Sequence, residues 1–181
     1  YARIKKLQEY KADKNKFLAN YFIVDGTAIA GKDLEMSNLE NDSLALEQHC
    51  KLSGQLNTTG DYSFLPLNLF TGFDTNPFLS DNRFSNINFG YRRTINLNIS
   101  IRIPADYLVD EIPKSVKLTD PDKDIIFIRQ VAYNKQDSMV SCIIQIEFKK
   151  SLYETDMYPI IKEVYQKIFG YLKEPVVLKH K

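Results

Sequence analysis

From Thr94 to Ile103 the chain reads TINLNISIRI, and every second side chain is a bulky aliphatic one. Successive residues of an extended strand point to opposite faces. Ile95, Leu97, Ile99, Ile101 and Ile103 therefore share one face, and Thr94, Asn96, Asn98, Ser100 and Arg102 share the other. A helix would scatter the same residues around its circumference and bury asparagine beside isoleucine. The alternation predicts a strand of an antiparallel sheet with one face on a core and one in water. Pro104, which has no N–H for the ladder, ends it.

The period of two recurs along the chain. Leu34 and Met36 alternate with polar neighbours, as do Leu44, Leu46, Gln48, Cys50 and Leu52. A strand is predicted over Tyr62 to Leu69, where Pro66 suits an edge or a bulge. Short strands are expected at Tyr107 to Glu111 and Ser115 to Leu118. Asp124 to Tyr133 should pair with Ser138 to Lys150 across the turn Asn134-Lys135-Gln136-Asp137, with Val140, Cys142, Ile144, Ile146 and Phe148 on one face.

Helical spacing marks the two ends. Ile4, Leu7, Phe17, Leu18 and Tyr21 fit a loose helix over Ala2 to Ala19. Met157, Ile161, Val164, Tyr165, Ile168 and Leu172 form a tighter stripe, with Thr155 or Asp156 as cap and Pro159 in the first turn. Pro175 stops that helix, and Val176-Val177-Leu178 can return as a strand. The predicted fold is mainly β: one antiparallel β-sandwich over residues 1–181, jelly-roll-like or immunoglobulin-like, with an N-terminal helix and a C-terminal helix followed by a short final strand.

A chain of 181 residues can bury a real core. Its formal charge of +1 comes from 24 basic and 23 acidic residues, and the basic points are short and scattered, which argues against a nucleic-acid partner. No run approaches the roughly 20 apolar residues of a membrane span. The chain opens on Tyr1 rather than Met, so a processed or excised fragment of a larger protein is expected.

Little in the sequence carries chemistry. The histidines are His49 and His180. His49 adjoins Cys50, but neighbours on a strand face opposite ways, so a thiol–imidazole pair is not expected. Cys50 and Cys142 read as core-facing residues, and a disulfide between them stays open for an exported chain. Asp120-Pro121-Asp122-Lys123-Asp124 has carboxylates at alternate positions, as calcium loops do. It lacks their glycine, and position twelve is Val131, so a solvated turn is the expectation. No phosphate loop, nucleophile elbow or metalloprotease motif occurs. A hydrolase built from paired carboxylates has nothing specific to recommend it. No catalytic, cofactor-binding or metal-binding residue is assigned, and no cofactor is expected.

The segment Phe70 to Tyr91 has neither period, yet it holds Phe70, Phe73, Phe78, Phe84, Phe89 and Tyr91. A loop this aromatic is normally pinned by inserting rings into the core. Asn76-Pro77 should start a turn, and Gly90 should supply a special backbone angle. Rings left outside would form a surface for a partner or ligand, and Phe73, Phe78, Phe84 and Tyr91 are the candidates. The lack of tryptophan weighs against a carbohydrate platform.

Several of these stretches resemble a known family. Asn76-Pro77-Phe78, Asp81-Asn82-Arg83 and Asn88-Phe89-Gly90-Tyr91 leading into Thr94 to Pro104 are similar to the C-terminal region of large bacterial proteins with a transglutaminase-like core. Tyr158-Pro159, Tyr165-Gln166-Lys167 and Glu174 to Lys179 resemble their closing helix and strand. Tyr1-Ala2-Arg3 and Met36 to Leu39 fit more loosely. The resemblance implies a C-terminal β-sandwich domain of unknown function, following a papain-like core that bears a Cys-His-Asp triad. It also implies export to the periplasm or cell envelope. No catalytic residue carries over, because the matching positions lie after that core. In such proteins further strands precede the Tyr1 helix, so one sheet here could end at an open edge.

Two readings follow. The first is a non-enzymatic accessory domain that packs against, orients or recruits substrate for an upstream transglutaminase-like or protease-like domain of the same parent protein. The second is a module that binds envelope glycan or peptide through the aromatic loop.

Overall fold

The structure, a computed structural model, describes residues 2–21, 23–24, 27–41, 43–68, 71–73 and 75–181. Tyr1, Leu69 and Phe70, named above, lie outside these residues, as do the side chains of Leu18, Tyr21 and Leu52. The chain forms two compact units, Tyr1–Leu56 and Asn57–Lys181.

In the first unit the expected single helix is two, α1 (Ala2–Ala12) and α2 (Lys14–Tyr21). Asp13 divides them: its Oδ1 accepts the N–H groups of Asn15 and Lys16 at 3.0 and 2.9 Å, capping α2. Phe17 is buried and meets Tyr10 edge-on, with ring centroids 5.8 Å apart. β1 (Ile23–Val24), β2 (Thr27–Ser37) and β3 (Glu47–Gly54) form an antiparallel sheet in that order. β3 begins later than the alternation predicts, because Asn38 Nδ2 bonds Ala45 O at 2.8 Å and holds the preceding residues in a turn that leaves Leu44 exposed. A register shift between Lys32 and Glu35 brings Leu34 inward and leaves Asp33 at φ 56°.

The second unit is the β-sandwich. One antiparallel sheet has the order β7 (Arg93–Arg102), β11 (Met139–Phe148), β10 (Ile125–Asn134), β9 (Val116–Thr119). The other has the order β4 (Asn57–Thr59), β5 (Tyr62–Leu65), β13 (Val176–His180), β8 (Tyr107–Glu111). A two-stranded piece joins β6 (Ile87–Asn88) to β12 (Leu152–Tyr153).

β7 alternates throughout as its sequence requires, with the aliphatic residues facing the core only partly buried because the strand ends its sheet. The β10–β11 hairpin forms as predicted, but its turn falls one residue later than expected, at residues 135–138, with Asn134 opposite Met139 and Ile125 opposite Phe148. Its turn is closed by Asn134, whose Oδ1 accepts Gln136 N–H at 2.9 Å. β5 stops at Leu65, one residue before Pro66. It lies between β4 and β13 rather than at an edge, so the proline terminates the strand instead of interrupting it.

The helix α3 (Tyr158–Lys173) buries Ile161, Val164, Tyr165, Ile168 and Leu172 of the predicted stripe, together with Tyr158 and Phe169, while Met157, the first expected member, lies in the preceding 3-10 turn and is half-buried. These residues share one apolar core with Val140, Cys142, Ile144, Ile146 and Phe148 of β11 and with Val176 and Leu178 of β13. No side-chain cap starts α3. Thr155 and Asp156 lie in a single 3-10 turn instead, and the Thr155 hydroxyl is bound to Asn86 Oδ1 at 3.0 Å. Cys50 is half-buried on β3, Cys142 is buried on β11, and both thiols are free. Burial pushes both thiols up in pKa, the Arg129 charge partly opposing this at Cys142. Among the described residues, no helix is long and apolar enough to cross a membrane.

Candidate functional site

The loop between β5 and β7 is held from within by its own rings. Phe73 lies 5.6 Å from both Tyr165 and Phe169 of α3 and stacks on Phe148 of β11 at 6.3 Å. Phe78 meets Tyr165 edge-on at 4.6 Å and Tyr158 at 6.0 Å. Phe89, half-buried, lies 5.3 Å from Phe148 and 5.8 Å from Tyr153. Edge-to-face and tilted pairs at these separations add to the area that the rings bury. Tyr165 is the hub, and burial raises its phenol pKa well above the ordinary value, with Arg93 opposing and Tyr153 adding to the rise.

Polar contacts fix the backbone between those rings. Asn76 Oδ1 accepts Phe78 N–H at 2.9 Å and Asn88 Oδ1 accepts Gly90 N–H at 2.8 Å, the turns that the sequence implies. Gly90 has φ 79°. The Tyr158 hydroxyl donates to Ser80 O at 2.5 Å, and Lys162 donates to the same carbonyl at 3.0 Å and to Asp81 at 2.8 Å. Lys162 holds the Asp81 carboxyl below its usual pKa, first by that hydrogen bond and then by its charge. Arg83 folds back onto Ser85 O at 2.9 Å. Gly72, at φ 66°, sits against Arg93, whose guanidinium donates to Thr71 O at 3.3 Å and covers the Phe73 ring at 5.5 Å.

Of the four candidate surface residues, Phe73 and Phe78 are therefore core residues. Phe84 is 96% exposed and Tyr91 62% exposed. Leu79 is exposed beside them in sequence. A residue that projects a whole benzyl group into water from a backbone held on both sides is presented rather than loosely placed. What this surface offers is apolar contact.

His49 is exposed on β3 while Cys50 faces the other way, as the strand period requires. His180, at the end of β13, packs its ring edge-on against Tyr107 at 5.3 Å. Cys142 is enclosed by the core, away from solvent.

Arg129 escapes sequence reasoning. It occupies an inward position of β10, in phase with Ile125 and Phe127, and is 1% exposed. Its guanidinium donates to Lys114 O at 2.8 Å, to Tyr171 O and to Glu174 Oε2 at 2.5 Å. Tyr171 O belongs to the last turn of α3, where carbonyls lack partners within the helix. Arg129 thus ties the end of α3 to the sheet, which is a structural role. Its one sequence signal is the period-two phase that sets it among apolar residues.

The DUF3858 family, described as a domain of unknown function, matches residues 56–178, nearly the whole second unit. No curated protein and no individual solved structure matches the chain.

Proposed function

Because the chain belongs to the DUF3858 family, a domain of unknown function, we propose that it is a non-catalytic accessory module, joined in its parent to a transglutaminase-like or protease-like domain of the cell envelope. Its role in this reading is to pack against that domain, orient it or bring substrate to it. The observation that carries the proposal is Phe84, almost fully exposed on a loop segment that buried Phe78 and Ile87 anchor on either side. Exposed aromatics of this kind anchor protein contacts. The similarity of Asn76 to Pro104 and Tyr158 to Lys179 to the closing region of transglutaminase-like proteins supports the class of partner.

The test is the parent protein carrying Phe84→Ala and Tyr91→Ala, compared with one lacking the module. Weakened domain association with preserved folding is the expected result. Activity, stability and targeting that survive removal of the module unchanged would overturn the proposal. The same two exposed rings support a second reading, capture of an envelope peptide or glycan. Pull-downs of peptidoglycan or envelope peptides that do not respond to Phe84→Ala and Tyr91→Ala would count against it.

A further inference from the structure

The core under the β7–β11 sheet stops one strand short. Val140, Cys142, Ile144 and Ile146 of β11 are at most 1% exposed. The residues opposite them on β7, Ile101, Ile99, Leu97 and Ile95, face the same core and are only half-buried. Among the described residues β7 pairs with β11 alone, so its other edge carries backbone donors and acceptors that join no ladder. The other edge strands of the two four-stranded sheets are guarded. β4 has 3 residues and β9 has 4, while β8 has 5, ends on Asp110 and Glu111 and lies beside a register shift. Short, charged or bulged edges resist the addition of another strand. β7 runs for 10 residues with no proline and no register shift against β11, and its charges, Arg93 and Arg102, stand at its two ends.

The strand is also complementary to itself. Opposite residues of an antiparallel pair share a face, and a two-fold axis through Asn98 keeps apolar against apolar. Ile95 then faces Ile101 and Leu97 faces Ile99 on the core side. On the solvent side Asn96 faces Ser100 and Thr94 faces Arg102. Asn98 faces its own copy, where each amide can donate to the other's oxygen. A slip of one residue would set every aliphatic side chain against a polar one. Moving the axis to Leu97 would set Arg102 against Arg92, a like-charge pair.

Charge fits the same register. Glu147 of β11 lies opposite Thr94. The second copy's Arg102 would therefore stand two strands from Glu147, with backbones about 10 Å apart and only the short threonine between them. Both side chains are long enough to meet over it. Arg102 is exposed and Glu147 half-buried, and neither joins an ion pair among the described residues.

We propose that two copies of this chain associate edge to edge through β7, antiparallel about Asn98, so that one sheet runs through both. Ile95, Leu97, Ile99 and Ile101 of each copy then cover those of the other. A second copy is the occupant because one register satisfies the apolar face, the polar face and the charges together. The contact uses the same edge on both copies, so it closes at two.

Analytical ultracentrifugation of the whole chain over a concentration series should show a monomer–dimer equilibrium. Asn98→Asp sets two carboxylates face to face on the axis, at an exposed position on the solvent side. It should weaken the dimer tenfold or more and leave the melting curve of the diluted monomer unchanged. Arg102→Glu and Glu147→Arg should each weaken the dimer several-fold, and the two together should restore it, a pattern that loss of folding does not produce. A chain that stays monomeric at millimolar concentration overturns the proposal. A dimer indifferent to Asn98→Asp overturns it as well, because that dimer would use another surface, and so would open-ended aggregates in place of a dimer.

Discussion

Arg129 and Glu174, 45 residues apart, meet through Nη2 and Oε2 at 2.5 Å, with the guanidinium 1% and the carboxylate 47% exposed. The pair is asymmetric: one charge has left water and the other has not. The guanidinium keeps its place because the carbonyls of Lys114 and Tyr171 also accept from it. Arg129→Ala should cost about 3–5 kcal/mol, since it opens a cavity and takes the guanidinium from the Lys114 carbonyl, while Tyr171 O keeps the Glu174 N–H at 3.3 Å. Glu174→Ala should cost about 1 kcal/mol, because solvent screens the exposed partner and the carbonyls remain. Urea unfolding of both variants and of the double variant measures the difference. Equal costs would contradict the asymmetry.

The loop separates anchoring rings from presented ones. Phe78→Ala should destabilise the protein by about 3–5 kcal/mol, the usual range for emptying a buried phenylalanine site. Phe84→Ala should fall within about 0.5 kcal/mol of the parent. Calorimetric melting of the two variants checks this, and a large loss from Phe84→Ala would show that its ring is buried in solution.

Gly72 combines φ 66° with a tight neighbour: an added Cβ would stand 2.9 Å from Arg93 Nη2. Gly72→Ala should therefore cost about 1–2 kcal/mol in backbone strain. The displaced guanidinium would also lose its contact with Thr71 O. Gly90→Ala, also at positive φ but with open space around it, should cost less. A thermal-shift comparison ranks the two.

Two buried phenols make stability fall at high pH. Burial, reinforced by the charges of Asp124 and Asp120, pushes Tyr153 from about 10 up to about 12, and burial raises Tyr165 as well. Above pH 10 the unfolded chain releases protons that the folded chain retains, so the unfolded state binds fewer protons and stability declines as pH rises. The stabilisation is complete below pH 10 and is lost as pH climbs through about 12 for Tyr153. Phenolate absorbance followed alongside circular dichroism should show a component that emerges only with unfolding. Full ionisation of a still-folded protein would refute the burial of both rings.

Much of the scaffold is legible residue by residue. The strict alternation of Ile95 to Ile103 predicts β7, and the phases of Ile125 to Tyr133 and Val140 to Phe148 around a short turn predict the hairpin, though its turn falls one residue later than expected. The stripe on α3 is equally plain. The cap of that helix is not, because Thr155 has a competing partner in Asn86, far off in the chain. The aromatic loop declares that it must be anchored, but not which rings do the anchoring. Phe78 and Phe84 are the same residue type in similar polar surroundings, and only the position of Tyr165 distinguishes them.

By itself the sequence determined what backbone geometry makes local: where the period is two, where it is nearer four, and where proline or glycine must interrupt. Tertiary structure decided which strands become neighbours, with β13 entering between β5 and β8. It also decided which polar groups could be buried. Arg129 and Asp120 look like ordinary surface residues in one dimension, because the cost of burying a charge depends on its partners. Those partners, Lys114, Tyr171 and Glu174, reach Arg129 only when distant segments pack together, whereas Asp120 finds its own close by, in the Ile125 N–H.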